Sequence, residues 1–185
     1  MKINTPNGIL EGDSIEAILK QYGLDCLCCA DLRCADLRCA ELTDAYLRGA
    51  DLRGADLRGA ELSELTVAQT SILPDEGDII GWKKAYVDDT MLPKPVIVKL
   101  LIPSDAQRSN ATGRKCRAST ARVLDLQDKQ GNSLPPDTTA YSSYDPDFTY
   151  QKGKTVHVED FDTNRWEECA PGIHFFITRI EAVEY

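Results

Sequence analysis

The side chains best suited to bind a ligand are concentrated in one basic stretch. Arg108, Arg114, Lys115, Arg117 and Arg122 fall within fifteen residues. Guanidinium groups form paired hydrogen bonds to phosphate and carboxylate oxygens. Ser109-Asn-Ala-Thr-Gly113, inside this stretch, is small, polar and turn-prone, a segment that can turn backbone N–H groups toward an anion. His174, in Gly172-Ile-His-Phe-Phe-Ile-Thr178, adds a ring that titrates near neutrality. Arg108, Arg114, Lys115, Arg117, Arg122 and His174 therefore form the candidate ligand-binding set, and a nucleotide or another phosphorylated small molecule is the ligand that fits them. Strand alternation over 117–126 puts Arg117 and Arg122 on opposite faces, so a continuous arginine face is not guaranteed. The competing role for these charges is pairing with acidic segments of the same chain.

Composition narrows the setting. The chain has 185 residues, 42% of them hydrophobic, and a net charge of −9, as in ordinary globular proteins. Residues 1–93 carry net −8, residues 94–131 net +5 and residues 132–185 net −6. A chain this acidic has too few cations to neutralise duplex phosphates, so duplex nucleic acid is not expected as a partner. No apolar run is long enough to span a membrane, and the first residues lack the apolar core of a secretion signal. The expectation is a soluble, cytoplasmic protein.

The elements that must position these residues begin with a repeat. From Ala30 the chain reads ADLRC ADLRC AELTD AYLRG ADLRG ADLRG AELSE, with Leu at 27, 32, 37, 42, 47, 52, 57 and 62 and Ala at 30, 35, 40, 45, 50, 55 and 60. A helix rotates each successive Leu away from the last, and a flat strand puts successive leucines on opposite faces. A short extended piece followed by a right-angle corner satisfies every unit, and four units close a coil of twenty residues. Asp31 then lies over Asp51 and Arg33 over Arg53, with opposite charges alongside.

These units resemble the pentapeptide-repeat family, whose unit is A(D/N)LXX. The resemblance implies a right-handed quadrilateral β-helix over about residues 25–74. Some members are long acidic rods that imitate DNA and bind gyrase. Here two and a half coils, with Asp and Arg alternating, argue against that activity. Asp13-Ser-Ile-Glu16 followed by Ile15, Ile18, Leu19 and Tyr22 on one face, with Gly23 after them, predicts a helix that caps the coil. The spacing continues through Val67 and Ile72, and Pro74 ends it. The coil edge at that end needs covering, by the rest of the chain or by a second copy, so a homodimer stays open.

Five of the seven cysteines, Cys26, Cys28, Cys29, Cys34 and Cys39, cluster in the repeat. Corner positions five apart point in different directions, so Cys29, Cys34 and Cys39 do not converge on one metal ion. Gly49, Gly54 and Gly59 fill the same slot later, which reads Cys29, Cys34 and Cys39 as small corner residues, while Cys26 and Cys28, before the regular coil, stay open as ligands. Cys116, Cys169, His157 and His174 could supply two Cys and two His ligands, but no Cys-x-x-Cys pair is present and their convergence stays open. No metal or cofactor is expected.

From Gly77 to Tyr185 the pattern changes to an α+β, mostly antiparallel domain, so the expected division is 1–24, 25–76 and 77–185. Strands are predicted at Trp82–Val87, Val96–Ile102, Arg117–Leu126, Phe148–Gln151, Thr155–Val158 and Gly172–Ile177. A helical turn is predicted at Ser104–Ser109, a long loop at Gly131–Pro146, and a helix after the capping box Thr178-Arg-Ile-Glu181. The strings GWKKAYVDD, VIVKLLIPSDAQRS, GRKCRASTARVLDL, SSYDPDFTYQKGKTV and ECAPGIHFFITRIEAVEY resemble a domain of unknown function that follows pentapeptide repeats in phage and giant-virus proteins. Gly172–Thr178 with Glu181–Tyr185 is also similar to the strand-then-helix motif of ADP-ribosyltransferase-like folds, in which a Tyr stands at the place of His174. Neither the early-strand partner nor the late catalytic Glu of that family is found. No complete catalytic set emerges. The resemblance to the virus-type domain implies a viral or phage origin; with the rigid repeat and the lack of a catalytic set, it gives the expectation of a non-catalytic protein that binds and inhibits a host protein, such as a defence component. The alternative is the nucleotide-binding domain described above.

Overall fold

The computed structural model describes residues 2–5, 8–24, 26–43, 47, 49–88 and 92–185. Ala45 of the repeat lies outside them. The chain forms two compact units, one of residues 1–72 with 111–113 and one of residues 73–110 with 114–185.

The first unit opens on an antiparallel hairpin of β1 (Lys2–Thr5) and β2 (Gly8–Glu11), which the sequence pattern did not reveal. Helix α1 (Ile15–Tyr22) follows. Its N-cap is Ser14, whose hydroxyl accepts from Ala17 N–H, one residue later than the expected box begins. Gly23 ends it in the left-handed conformation at φ 61°, where a Cβ is disfavoured. Ile15 and Ile18 are buried, while Tyr22 is exposed.

The repeat then stacks segments twenty residues apart. Asp31 pairs in parallel with Asp51 and Asp36 with Asp56, and β3 (Glu41–Leu42) pairs in parallel with β4 (Glu61–Leu62). Each described corner is a tight turn. The N–H of Ala30, Ala35, Ala40, Ala50, Ala55 and Ala60 donates to the carbonyl of the Leu three residues earlier. The third residue of each turn has positive φ, and it is Cys29, Cys34 or Cys39 on one level and Gly49, Gly54 or Gly59 on the next. Leu27, Leu32, Leu37, Leu42, Leu47, Leu52 and Leu57 form the core. Ala30 is buried with them, whereas Ala35, Ala40, Ala50, Ala55 and Ala60 are only half-buried. The expected continuation of the coil to residue 74 is corrected. Ser63 caps helix α2 (Glu64–Thr70), so the five-residue rule stops at Leu62 and Leu65 faces solvent.

The second unit is built on β5 (Ile79–Val87), β6 (Lys94–Ile102), β7 (Arg108–Asn110), β8 (Cys116–Ala118), β9 (Thr120–Gln127), β10 (Thr139–Tyr141), β11 (Thr149–Gln151), β12 (Thr155–His157) and β13 (Ile173–Phe175), closed by α3 (Arg179–Glu184). A six-stranded antiparallel sheet has the order β11-β10-β5-β6-β9-β12, and a three-stranded antiparallel sheet the order β13-β8-β7. Phe176 bridges to Trp82 through two 2.8 Å hydrogen bonds and joins the second sheet to β5.

Alternation explains most of the core. Val96, Val98, Leu100 and Ile102 are buried, with Ala85, Ala121 and Val123 beside them; Ile97 is buried on the other face of β6, and Leu126 changes parity where the β6–β9 register shifts at Lys99/Leu100. Phe175 lies so close to β5 that a Cβ on Gly81 would sit 2.6 Å from its ring. β7 and β10 were not expected, since three-residue strands are too short to show a period. The single strand expected at Arg117–Leu126 is broken at Ser119. Its two halves, β8 and β9, belong to different sheets.

Candidate functional site

That break at Ser119 scatters the six candidate residues. Arg108 turns inward and donates to the carbonyls of Gly77 at 2.6 Å and Pro103 at 2.7 Å. Arg114 forms a forked pair with Glu181, Nε to Oε1 at 2.6 Å. Together with Thr178 it holds the Glu181 carboxyl down at about 2. Arg117 is buried, and its guanidinium donates to the carbonyls of Asp162 at 2.9 Å, Pro171 at 3.0 Å and Asn164 at 2.8 Å. It also packs over the Phe161 ring. Three carbonyls from one irregular segment therefore converge on one cation, which satisfies backbone acceptors that burial would otherwise leave unpaired. Arg122 is exposed on β9, opposite Thr155 of β12.

Lys115 and His174 are brought together, and with them a residue the sequence reading missed. His174 stands opposite Arg117 in the β13–β8 pairing. Its Nε2 lies 3.1 Å from the carbonyl of Glu168, so Nε2 carries the ring proton and Nδ1 keeps its lone pair. Burial is the largest cause that pushes its pKa down to about 4, and the nearby Lys115, Lys83 and Arg117 act in the same direction. The ring is therefore neutral at physiological pH. Lys115 donates to the Cys169 sulfur at 3.6 Å.

Lys83 lies on β5 at the same parity as buried Ile79, Gly81 and Ala85. Its ammonium is 6.0 Å from the centroid of the buried Tyr150 ring. Burial, helped by the Lys115 charge, lowers its pKa to about 8. Among the described residues its three N–H groups have no hydrogen-bond acceptor and no carboxylate partner, yet the residue is not fully closed off from solvent. The signal was present in the sequence. Period two places Lys83 between Gly81 and Ala85 on a face that must pack, whereas Lys84 takes the other side.

His157 is at the far edge of the large sheet, 2.8 Å from the Thr120 hydroxyl. Cys116 is buried on β8, with its thiol pushed up to about 12 by burial. Among the described residues no three His, Cys, Asp or Glu side chains are grouped to hold a metal ion, and no helix is long and apolar enough to cross a membrane.

The second unit thus brings Lys83, Lys115 and a neutral His174 together on antiparallel sheets; the first unit is built of stacked five-residue turns. Residues 27–65 match pentapeptide repeats in eight copies. Residues 69–182, more than half of the chain, match a family of unknown function (DUF5758), and the chain belongs to that family. No curated protein and no solved structure matches the chain.

Proposed function

We propose that the second unit binds a small anionic molecule, a nucleotide or another phosphorylated compound, at the cluster of Lys83, Lys115 and His174. The observation that carries this reading is Lys83. An ammonium largely withdrawn from water, with no carboxylate partner among the described residues, is disfavoured, and a phosphate or carboxylate oxygen would satisfy it while Lys115 supplies the second charge. Arg114 and Arg117 are left out of the binding set because their donors are already committed. ADP-ribosyl transfer is not proposed. The short strand and helix around His174 follow the right order, but its neighbours are cations rather than a catalytic glutamate.

The test is thermal denaturation with inorganic phosphate and a nucleotide panel, for the wild type and for Lys83→Met and Lys115→Met. The expected result is a ligand-dependent rise in Tm that both variants lose. A wild type indifferent to phosphate and to every nucleotide overturns the reading.

In the first unit, the parallel pairing at a twenty-residue interval and the leucine core support a right-handed quadrilateral β-helix with α1 as its cap. We take this unit to be a scaffold.

A second reading, a viral or phage protein of the host cytoplasm that binds and inhibits a host protein, is favoured by one feature. The β10–β11 connection is tied by Ser142 N–H to the Phe148 carbonyl at 3.0 Å and by Asp147 N–H to the Asp145 carboxylate at 3.0 Å. It nevertheless holds Tyr144 97% exposed. A tyrosine presented on an ordered acidic turn suits a protein contact. A pull-down in which the wild type recovers a stoichiometric partner that Tyr144→Ala loses supports it, and the absence of such a partner counts against it.

A further inference from the structure

We propose that Lys83 is a nucleophilic amine that condenses with the carbonyl carbon of a small phosphorylated aldehyde or ketone, an inference that rests on the anion-binding reading above. Four observations converge on it. First, Lys83 lies on the packed face of β5, at the parity of Gly81 and Ala85, with Val98 of β6 opposite. Second, the ammonium ends over the Tyr150 ring, and no carboxylate among the described residues holds it charged. Third, other lysines are differently placed. Lys99 lies over Trp82 on the other face of the sheet, and Lys152 is paired with Asp125 at 2.9 Å. Fourth, a carbonyl compound that carries its own phosphate would meet Lys115, and the neutral ring of His174 offers a lone pair for proton transfer.

The reaction balances without an external oxidant or reductant. The amine lone pair forms a C–N bond to the carbonyl carbon as the C=O π bond opens onto oxygen. The nitrogen loses its proton and the oxygen gains one, giving a carbinolamine. Loss of water then leaves an imine between Lys83 Nζ and the former carbonyl carbon. Condensation needs the uncharged amine. With a pKa of about 8, about one amine in ten is uncharged at pH 7, against fewer than about one in a thousand for an ordinary lysine. The groups that act on this amine are Lys115 before β8, His174 on β13 and Tyr150 on β11. Burial and the Lys115 charge keep its pKa low, His174 is neutral, and the phenol, itself pushed well above its usual value by burial, stays neutral.

The experiment uses the whole chain with pyridoxal 5′-phosphate as the phosphorylated aldehyde. Cyanoborohydride reduces any imine, and the adduct is located by intact and peptide mass spectrometry. The expected result is a single adduct at Lys83, formed at least tenfold faster at pH 7 than at any other lysine. Its rate should rise with pH to a midpoint near 8, and inorganic phosphate should slow it. Lys83→Arg should lose it, and Lys115→Met should keep it but require a higher aldehyde concentration. Labelling spread evenly over surface lysines overturns the inference, even if phosphate still raises Tm, in which case the anion-binding reading survives alone. A Lys83 adduct that phosphate does not slow, and that a phosphate-free aldehyde forms equally well, keeps the amine and overturns the anion site. The wild-type adduct is read without mutation, so a variant that fails to fold does not remove the test.

Discussion

Arginine does opposite work in the two units. In the repeat, Arg33, Arg38, Arg53 and Arg58 each fork onto the aspartate two residues earlier, Asp31, Asp36, Asp51 and Asp56, at the surface. In the second unit, Arg108, Arg117 and Arg179 reach inward to main-chain carbonyls. Arg179 donates to Gln127 Oε1 at 3.0 Å and to the carbonyl of Asp128 at 2.8 Å. The first kind decorates a backbone that already satisfies itself through its turns and stacked levels. The second kind replaces secondary structure, since irregular segments such as 161–171 have few backbone partners of their own. Charge on the outside of a repeat is therefore cheap to change, and charge inside a loop-rich domain is part of its framework.

Arg117→Gln is the sharpest way to break this contrast, and the largest effect we expect. It removes one cation and strands the carbonyls of Asp162, Asn164 and Pro171. Hydrogen bonds to a charged donor contribute about 1.5–3 kcal/mol each before compensation, so a net loss of about 3 kcal/mol is expected. Chemical denaturation measures it, and Arg117→Lys should recover only part, because a point charge cannot span three carbonyls. A loss below about 1 kcal/mol would mean that the 161–171 segment finds water in place of the guanidinium.

Gly81→Ala comes next. Its new Cβ would meet Phe175 ring atoms at 2.6 and 3.1 Å. Overpacking of that kind costs about 1–3 kcal/mol, and Phe175→Leu in the same chain should relieve part of the cost. If Gly81→Ala alone is neutral, the ring is free to shift and the face around Lys83 is looser than its burial suggests.

How far the sequence reached follows the same divide. In the repeat, the period of five names the buried leucines and the stacking interval directly, because every unit repeats the same local geometry. It failed at α2, where Val67 and Ile72 kept the spacing while Ser63 and Glu64 began a helix. Hydrophobic spacing alone does not distinguish a corner from the first turn of a helix. In the second unit the long strands were legible, but not the Ser119 break, which moves Arg117 into another sheet and buries it. That break depends on which strand comes to lie beside β8, a long-range choice with no local signature. The candidate set fared accordingly. Residue type pointed to Arg114 and Arg117, and tertiary structure committed both. Lys83 was outside the candidate set, although its parity with Gly81 and Ala85 places it on the face of β5 that packs.

Within the repeat, the corner residues let strain and crowding be separated. Gly54 has φ 70°, and a Cβ there would approach the Cys34 sulfur at 3.3 Å. Gly54→Ala should cost about 1–2 kcal/mol, from the positive φ and the contact together. Cys34→Ala removes the sulfur but keeps a side chain at φ 55°, so the double variant should regain the crowding part alone. A double-mutant cycle measures that coupling. Zero coupling would assign the whole cost to the backbone.

The smallest effect tests the surface side of the contrast. Hydrogen bonds from Arg38 and Arg53 hold the carboxyls of Asp36 and Asp51 down at about 2, below the ordinary value of 3.8. A carboxyl whose pKa is depressed by folding stabilises the fold above its unfolded pKa and loses that contribution as pH falls through the folded value. Whatever these pairs contribute is therefore complete above about pH 5 and lost between about pH 4 and pH 2. All four arginines are at the surface, where salt screens them. The variant with Arg33, Arg38, Arg53 and Arg58 all changed to Gln should match the wild type in Tm at pH 7 in 0.5 M salt. In low salt it should show a slightly flatter acid limb. A fall in Tm as large as that of Arg117→Gln would make the forks part of the coil's framework and erase the distinction between the two kinds of arginine.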